Sequence, residues 1–188
     1  MKKQPEITEK TRQTFVGVFC DLYSQKPIEQ ITIQEIAKKS GYNRSTFYQY
    51  FSDIYELLDF VETDLLNYIK DELRKEEEAG DSVQNVLHCF EKESHLSALS
   101  ALFGDYGSAR FLERLKREIP VDRWALNLPE ESTATPYLIE FYISTALSLF
   151  RLWFRRQMDL PRDELFELVH SLYTGGISNV VNNAKSIL

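Results

Sequence analysis

A run of polar side chains between residues 44 and 50 carries groups that could hydrogen-bond to a DNA duplex. Arginine, glutamine, serine and threonine read base edges in the major groove, while hydroxyls and helix N-termini hold phosphates. Helical spacing turns these side chains away from Phe47 and Phe51, which would face the core. A merely solvated helix face is the alternative, because many helical hairpins have polar outer surfaces. The polar run consists of Arg44, Ser45, Thr46, Tyr48, Gln49 and Tyr50.

Local signals predict the helices that must position this run. An amphipathic stripe predicts a first helix over residues 8–24. Thr32 and Glu35 form a T-x-x-E capping box for a short second helix, and Gly41 follows its end. Asn43 can then cap a third helix that continues through Phe51. Two short helices joined by a glycine-containing turn and packed on a preceding helix make a helix-turn-helix.

The rest of the chain also reads as helix, because apolar residues recur at helical spacing and no alternation of strand length stands out. A long fourth helix is capped by Ser52 or Asp53 and runs to about Glu78. The sequence therefore predicts an all-α fold. The further predicted helices are Val83–His95, Leu96–Phe103, Ser108–Glu118, Pro136–Gln157 and Arg162 to about Lys185.

The string ITIQEIAKKSGYNRSTFYQYFSDIYELL closely resembles the DNA-binding head of TetR-family transcriptional regulators. The shared features are an apolar-Thr start, an I-A pair, a glycine turn, an F-Y-x-x-F recognition helix and a following Leu-Leu helix, and residues 8–75 fit throughout. The resemblance implies a homodimer, a pseudo-palindromic DNA operator and a variable C-terminal body that binds a small-molecule effector. It also implies two domains, a helix-turn-helix head over residues 1–52 and an effector-binding and dimerisation body over residues 53–188.

The resemblance implies a role for each matching position. Thr32 and Gln34 are the first-turn DNA contacts of the second helix, and Asn43 joins the DNA-binding set. One position departs from the family, because Ile54 stands where a lysine usually meets a phosphate. Losing that contact should lower the salt slope of binding by about one unit. The implied base readers are Arg44, Ser45 and Gln49, and the implied phosphate contacts are Thr46, Tyr48 and Tyr50.

The C-terminal helices resemble a TetR subgroup that includes dihydroxyacetone-kinase regulators. The matching features are an apolar helix ending in a tryptophan and a basic cluster, a short linker with proline, and a helix ending in glycine. In the family these two helices form a four-helix dimer interface with their symmetry mates. The implied interface candidates, which are equally core candidates, are Leu147, Phe150, Phe154, Leu165, Leu168 and Leu172.

Aromatic residues are frequent in the body, and an effector pocket in a helical body would be mainly apolar with a few polar groups. Ordinary core packing is the alternative for each of these side chains. The pocket candidates are Phe103, Tyr106, Trp124, Phe141 and Tyr142.

Charge, composition and missing motifs limit the other classes of protein to which this chain could belong. The net charge of −7 divides into +3 for residues 1–50 and −10 for the rest, so a mildly basic head sits on an acidic body. The N-terminus has basic residues but no apolar segment after them, and no stretch is typical of a membrane span, so we expect a cytoplasmic protein. His88, Cys89 and His95 lack a matching carboxylate, so we expect no metal site and no cofactor. No catalytic motif occurs, and we expect no enzymatic activity.

These observations favour a homodimeric, sequence-specific DNA-binding regulator, a repressor controlled by a small molecule. The alternative is an all-α interaction protein of the same fold that acts mainly through a protein partner. It is motivated by Ile54 and by the modest charge of the head.

Overall fold

The computed structural model describes residues 5–79, 93–118, 133 and 135–185. These residues are helical, and no β-strand occurs among them, which confirms the all-α prediction. None of the helices in the described part of the chain is long and apolar enough to cross a membrane. The helices are α1 (Pro5–Tyr23), α2 (Ile33–Ser40), α3 (Arg44–Phe47), α4 (Ile54–Ala79), α5 (Glu93–Phe103), α6 (Ala109–Glu118), α7 (Thr135–Arg155) and α8 (Arg162–Lys185).

Aromatic rings hold α3 on α1. Phe47 lies edge-on to Phe15 with ring centroids 5.4 Å apart, and it contacts Phe51 at 5.7 Å. Phe51 in turn packs against Phe60 of α4 at 5.6 Å. Tilted and edge-to-face pairs of this kind add to the stabilisation that burial alone supplies. They set the orientation of α3 relative to α1 and α4.

The core runs without interruption from the head into the body. Helix α4 buries Leu57, Val61 and Leu65 along one face, with the apolar spacing predicted from the sequence. Helix α1 packs against both α2 and α5, so the head rests on the body as well as on α4.

The turn between α7 and α8 is held by one side chain of α7. The indole Nε1 of Trp153 donates a hydrogen bond to the Leu160 carbonyl at 2.9 Å, and the ring is buried. Within the turn, Gln157 and Met158 both have a φ of 57°, a conformation that side chains other than glycine rarely adopt. This hydrogen bond helps to close the connection that sets α8 against α7.

Three helices differ from prediction. α3 is an α-helix only as far as Phe47, after which the amides of Gln49 and Tyr50 bond three residues back in tighter turns. The predicted break between His95 and Leu96 is wrong, because α5 runs through both residues. α8 has a non-helical residue, Gly176, with a φ of 68°. Most of the predicted helix over residues 83–95 lies outside the described residues.

Candidate nucleic-acid interface

The N-terminus of α2 has the predicted Thr32 cap, whereas the Glu35 carboxylate of the predicted capping box pairs with Lys26 and does not return to the Thr32 amide. The Thr32 hydroxyl accepts a hydrogen bond from the Glu35 amide at 3.2 Å, which satisfies one backbone donor that the helix leaves open. The Glu35 carboxylate accepts a hydrogen bond from Lys26 Nζ at 2.6 Å and so ties α2 to the preceding loop. Thr32 itself is exposed, with Gln34 two residues further on in the first turn.

A glycine sets the turn between α2 and α3. Gly41 has a φ of 74°, the left-handed conformation that favours glycine at a helix C-terminus. Tyr42 follows, with its ring 5.4 Å from that of Phe15 and its hydroxyl 3.3 Å from the Thr11 hydroxyl. Tyr42 thus anchors the turn on α1.

Asn43 caps α3 and organises the hydroxyls beside it. Its Oδ1 accepts hydrogen bonds from the Thr46 amide at 2.8 Å, the Thr46 hydroxyl at 2.9 Å and the Ser45 hydroxyl at 2.7 Å. These three donors are satisfied by Asn43 Oδ1, so the two hydroxyls would have to rotate away from Asn43 to donate to a phosphate. Asn43 therefore positions the side chains of Ser45 and Thr46. Asn43 is itself exposed.

Arg44 and Gln34 connect the two helices of the motif. Both side chains are exposed, and Arg44 Nη2 donates a hydrogen bond to Gln34 Oε1. A guanidinium has five N–H donors, so this contact leaves enough to address a base bidentately. The resemblance implied separate roles for these residues, whereas the structure places them in contact.

The remaining candidates differ in exposure. Tyr48 is 56% exposed, Gln49 is also exposed, and Tyr50 is half-buried with its ring 5.9 Å from Phe15. Thr46 is half-buried beside its cap. The structure thus brings all nine predicted DNA-binding residues to one region, seven of them exposed and two half-buried.

The first turn of α4 lies next to this region in the chain. Asp53 Oδ1 accepts a hydrogen bond from the Glu56 amide at 2.8 Å, and Glu56 accepts one from the Ser52 amide. These hydrogen bonds from Ser52 hold the pKa of Glu56 below its ordinary value. Ile54 is half-buried, while Tyr55 is 60% exposed. The sequence analysis did not name Tyr55 as a candidate DNA contact. Its position next to Ile54, the residue that differs from the family pattern, could have indicated it.

The predicted pocket residues are dispersed. Phe103 is buried in the core, with its ring 5.7 Å from Phe154, and Tyr106 is exposed between α5 and α6. Phe141 is 63% exposed, and Tyr142 is half-buried with its ring centroid 4.1 Å from that of Tyr173. Trp124 lies outside the described residues.

The predicted dimer-interface residues fall into two groups that differ in burial. Phe154 and Leu165 are buried within the single chain, so they contribute to its own core. The other four are half-buried, and they are Leu147, Phe150, Leu168 and Leu172.

An ionic network joins α6 of the body to α4. Arg114 Nη2 donates a hydrogen bond to the Thr63 hydroxyl at 3.0 Å, and Nη1 lies 3.7 Å from Asp59 and 3.8 Å from Glu62. Glu62 is 2% exposed, and burial raises the pKa of its carboxyl. Arg114 Nε also bonds Glu118 at 3.0 Å. A shift of α6 would therefore act directly on the helix that supports the head.

No group of three or more potential metal ligands occurs within the described ranges. His95 stacks on Tyr68 with ring centroids 3.8 Å apart, and its Nε2 lies 3.8 Å from Asp64. His88 and Cys89 lie outside the described residues.

Comparison with known proteins identifies the class of this site. Residues 20–61 match the model of bacterial regulatory proteins of the tetR family. An uncharacterised HTH-type transcriptional regulator from Haemophilus influenzae is 34% identical over 82 residues, which cover 42% of this chain and 40% of that protein. The chain thus spans less than half the length of this curated relative.

Two solved structures share the fold. A tetR-family transcriptional regulator from Streptomyces coelicolor superposes with a TM-score of 0.54 at 23% identity, covering 87% of this chain and 78% of the other. The TetR-like regulator LfrR from Mycobacterium smegmatis gives 0.51 at 15% identity, covering 90% and 97%. Residues 20–61 therefore match a tetR-family helix-turn-helix domain, and the fold of the described residues resembles that of these two TetR-like regulators.

Proposed function

We propose that this protein is a sequence-specific DNA-binding transcriptional regulator that acts as a repressor. The observation that carries the proposal is the outer face of α2 and α3, where Gln34, Arg44, Ser45, Tyr48 and Gln49 are all exposed. These side chains offer amide, guanidinium and hydroxyl groups from the first turn of α2, from α3 and from the turn that follows α3, and groups of these types read base edges in the major groove. The proposed activity is binding and not catalysis, and we place it in the cytoplasm.

The charge distribution supports the orientation of this complex. Residues 1–50 carry a net charge of +3, and the remaining residues carry −10. A duplex attracts the basic end and repels the acidic end, so the head approaches DNA first. This long-range effect adds to the hydrogen bonds of α2 and α3, which supply the sequence preference.

Selection of the purified full-length protein against random duplex DNA, at several salt concentrations, tests the proposal. We expect an enriched inverted repeat and a steep fall of affinity with salt, because phosphate contacts release counter-ions. Failure to enrich any motif at low salt would reject DNA reading. It would favour the second candidate, an all-α protein that acts mainly through a protein partner, for which Ile54 at the phosphate-contact position of α4 is the specific observation.

We further propose a homodimer built on the outer face of α7. Leu138, Phe141 and Leu152 lie along this face at helical spacing, and all three are exposed. Tyr137, next to Leu138, is 79% exposed. Thr145 and Ser148 lie between Phe141 and Leu152 on the same face, so exposed apolar side chains stand at both ends of a face with a polar centre. Exposed apolar groups rimmed by polar residues are typical of a protein interface. A two-fold pairing of this face would present two α3 helices to a palindromic operator.

Light scattering of the wild type at micromolar concentration tests the dimer. We expect twice the chain mass for the wild type and the monomer mass for Phe141→Asp, because a carboxylate would be buried in the interface. Tyr106→Asp, which alters an exposed aromatic residue between α5 and α6, is the matched control and should stay dimeric. A monomeric wild type would contradict the proposal.

Control by an effector would be a shift between two states of the dimer. Binding to adjacent major grooves requires the two α3 helices to stand roughly 34–36 Å apart, one turn of DNA. An effector that prefers a different separation weakens DNA binding by its differential affinity for the two states. The ionic network between α6 and α4 supports this proposal, since it links the body to the helix that carries the head.

We also propose that the body belongs to the subgroup that includes dihydroxyacetone-kinase regulators. The order of features along α7 and α8 supports this assignment. Trp153 is followed by Arg155 and Arg156 at the end of α7, and Pro161 precedes α8. The helix predicted to end at glycine does not end there: Gly176 is non-helical, but α8 continues to Lys185.

A further inference from the structure

A cavity lies between α6 and α7, away from the helix-turn-helix. Its volume is about 140 Å³, close to that of an engineered protein cavity, roughly 150 Å³, that holds benzene. The walls combine two apolar side chains, two hydroxyls, two cations and the carboxylate of Glu113. They include Leu112 and Lys116 from α6 and Ser144, Leu147, Ser148 and Arg151 from α7.

Arg151 has no counter-ion among the described residues. Its Nη2 lies 3.4 Å from the Gly107 carbonyl, at the long limit for a hydrogen bond, and its Nε is buried without a hydrogen-bond partner in that part of the chain. Arg155, one turn further along α7, instead pairs with Asp105 at 2.6 Å. A half-buried guanidinium that lacks a carboxylate favours the binding of an anion from solution.

Lys116 adds a second positive group on the opposite wall. Its Nζ lies 3.1 Å from Glu140 and 3.5 Å from Glu113, and the hydrogen bond to Glu140 raises the pKa of Lys116. Ser144 also donates to Glu140, at 2.6 Å. The two acids therefore hold Lys116 and Ser144 in position and more than compensate the lysine, which leaves Arg151 as the cation of the cavity with no carboxylate beside it among the described residues.

We propose that this cavity binds a small anion, through a carboxylate or phosphate group that Arg151 pairs with, and that this anion is the effector of the regulator. The apolar pair Leu112 and Leu147 leaves room for a short carbon chain, and the volume suits about six non-hydrogen atoms. The effector role rests on the proposed function, whereas the binding site does not.

Calorimetric titration of the full-length protein without DNA tests the site. The probes are inorganic phosphate and propionate, of similar size, added at constant ionic strength set with sodium chloride. We expect saturable binding to the wild type, weakened at least tenfold in Arg151→Gln and unchanged in the matched control Arg155→Gln. Preference for one probe would identify the anionic group. No saturable binding of either probe, or equal binding by Arg151→Gln, would overturn the site.

Ser148→Leu keeps the test decisive if Arg151→Gln does not fold, as judged by circular dichroism. Ser148 is exposed at the cavity, so a leucine there fills the space without changing any charge, and we expect it to abolish binding. Because Ser148 also lies between Phe141 and Leu152 on the outer face of α7, light scattering must first show that Ser148→Leu keeps the wild-type mass. Retained binding would place the anion elsewhere and overturn the proposal.

The effector role is then measured by adding the bound probe to the complex with the selected DNA. Weaker DNA binding in the wild type but not in Ser148→Leu supports the role. Unchanged DNA affinity at saturating anion overturns it. Because anion binding is measured without DNA, a protein that binds the anion and selects no DNA supports the site while contradicting the proposed function.

Discussion

Replacing Arg44 by alanine tests the DNA-reading face at its central contact. The arginine is exposed at the start of α3 and donates to Gln34 on α2. A bidentate arginine–guanine pair contributes about 1–3 kcal/mol of discrimination, so we expect Kd to rise about 5- to 150-fold for each half-site. A dimer loses this contact in both half-sites.

The hydrogen bond from Arg44 to Gln34 allows a second test, in which Gln34 is also replaced. If Gln34 acts only by orienting Arg44, then Gln34→Ala weakens binding on its own but adds nothing to Arg44→Ala. Its separate loss is the net value of one hydrogen bond to a charged group, about 1.5–3 kcal/mol at most. A double-mutant cycle measures this dependence directly.

The assay is fluorescence anisotropy on the selected operator and on operators with single base changes, repeated over a series of salt concentrations. Arg74→Ala is the matched control, because Arg74 is an exposed arginine of α4 that pairs with Asp71 within its own helix. We expect Arg44→Ala to lose preference at one operator position, with little change for the control.

Two results would refute the reasoning. Unchanged affinity and sequence preference would reject Arg44 as a base reader. An equal loss on every sequence, with the salt slope smaller by about one, would assign Arg44 to a phosphate instead.

Three further changes test other parts of the molecule. Ile54→Lys restores a cation at the first turn of α4, so we expect tighter DNA binding and a salt slope steeper by about 0.9 in the same anisotropy assay; an unchanged slope would place this turn away from the DNA backbone. Gly107→Ala should lower the free energy of unfolding by about 1–3 kcal/mol in urea, because a Cβ there would overlap the Leu102 carbonyl oxygen, and a neutral result would contradict the close approach. Burial raises the pKa of Glu62, so its contribution to stability is fully present below its ordinary pKa and is lost as pH rises through the folded value. Glu62→Gln should therefore raise the free energy of unfolding at neutral pH, with the gain disappearing at acidic pH; a loss at neutral pH would show that the contact with Arg114 outweighs burial.

The helix-turn-helix was predictable because its signals are local. The cap at Thr32, the left-handed Gly41 and the cap at Asn43 all lie where the sequence predicts them. Each depends on hydrogen bonds or backbone angles within a few residues, so neighbouring residues carry the information. The end of α3 is different: Phe47 and Phe51 pack against other helices, and the chain tightens after Phe47.

The body was less predictable, because helical spacing identifies an apolar face but not the surface that covers it. Phe103 and Phe141 are alike in sequence terms, yet Phe103 is buried in the core and Phe141 is exposed. The difference depends on which helices cross, and such contacts join residues far apart in the chain.

The amino-acid sequence alone therefore determined the helical class, the caps of the motif and the polar run that faces outward. These properties follow from spacing and from backbone groups close in the chain. Only the tertiary structure decided that Gln34 meets Arg44, that Arg114 joins α6 to α4, and that Arg151 lines a cavity with no counter-ion among the described residues. Each of these depends on the distance between side chains on different helices, and packing of the whole core sets that distance.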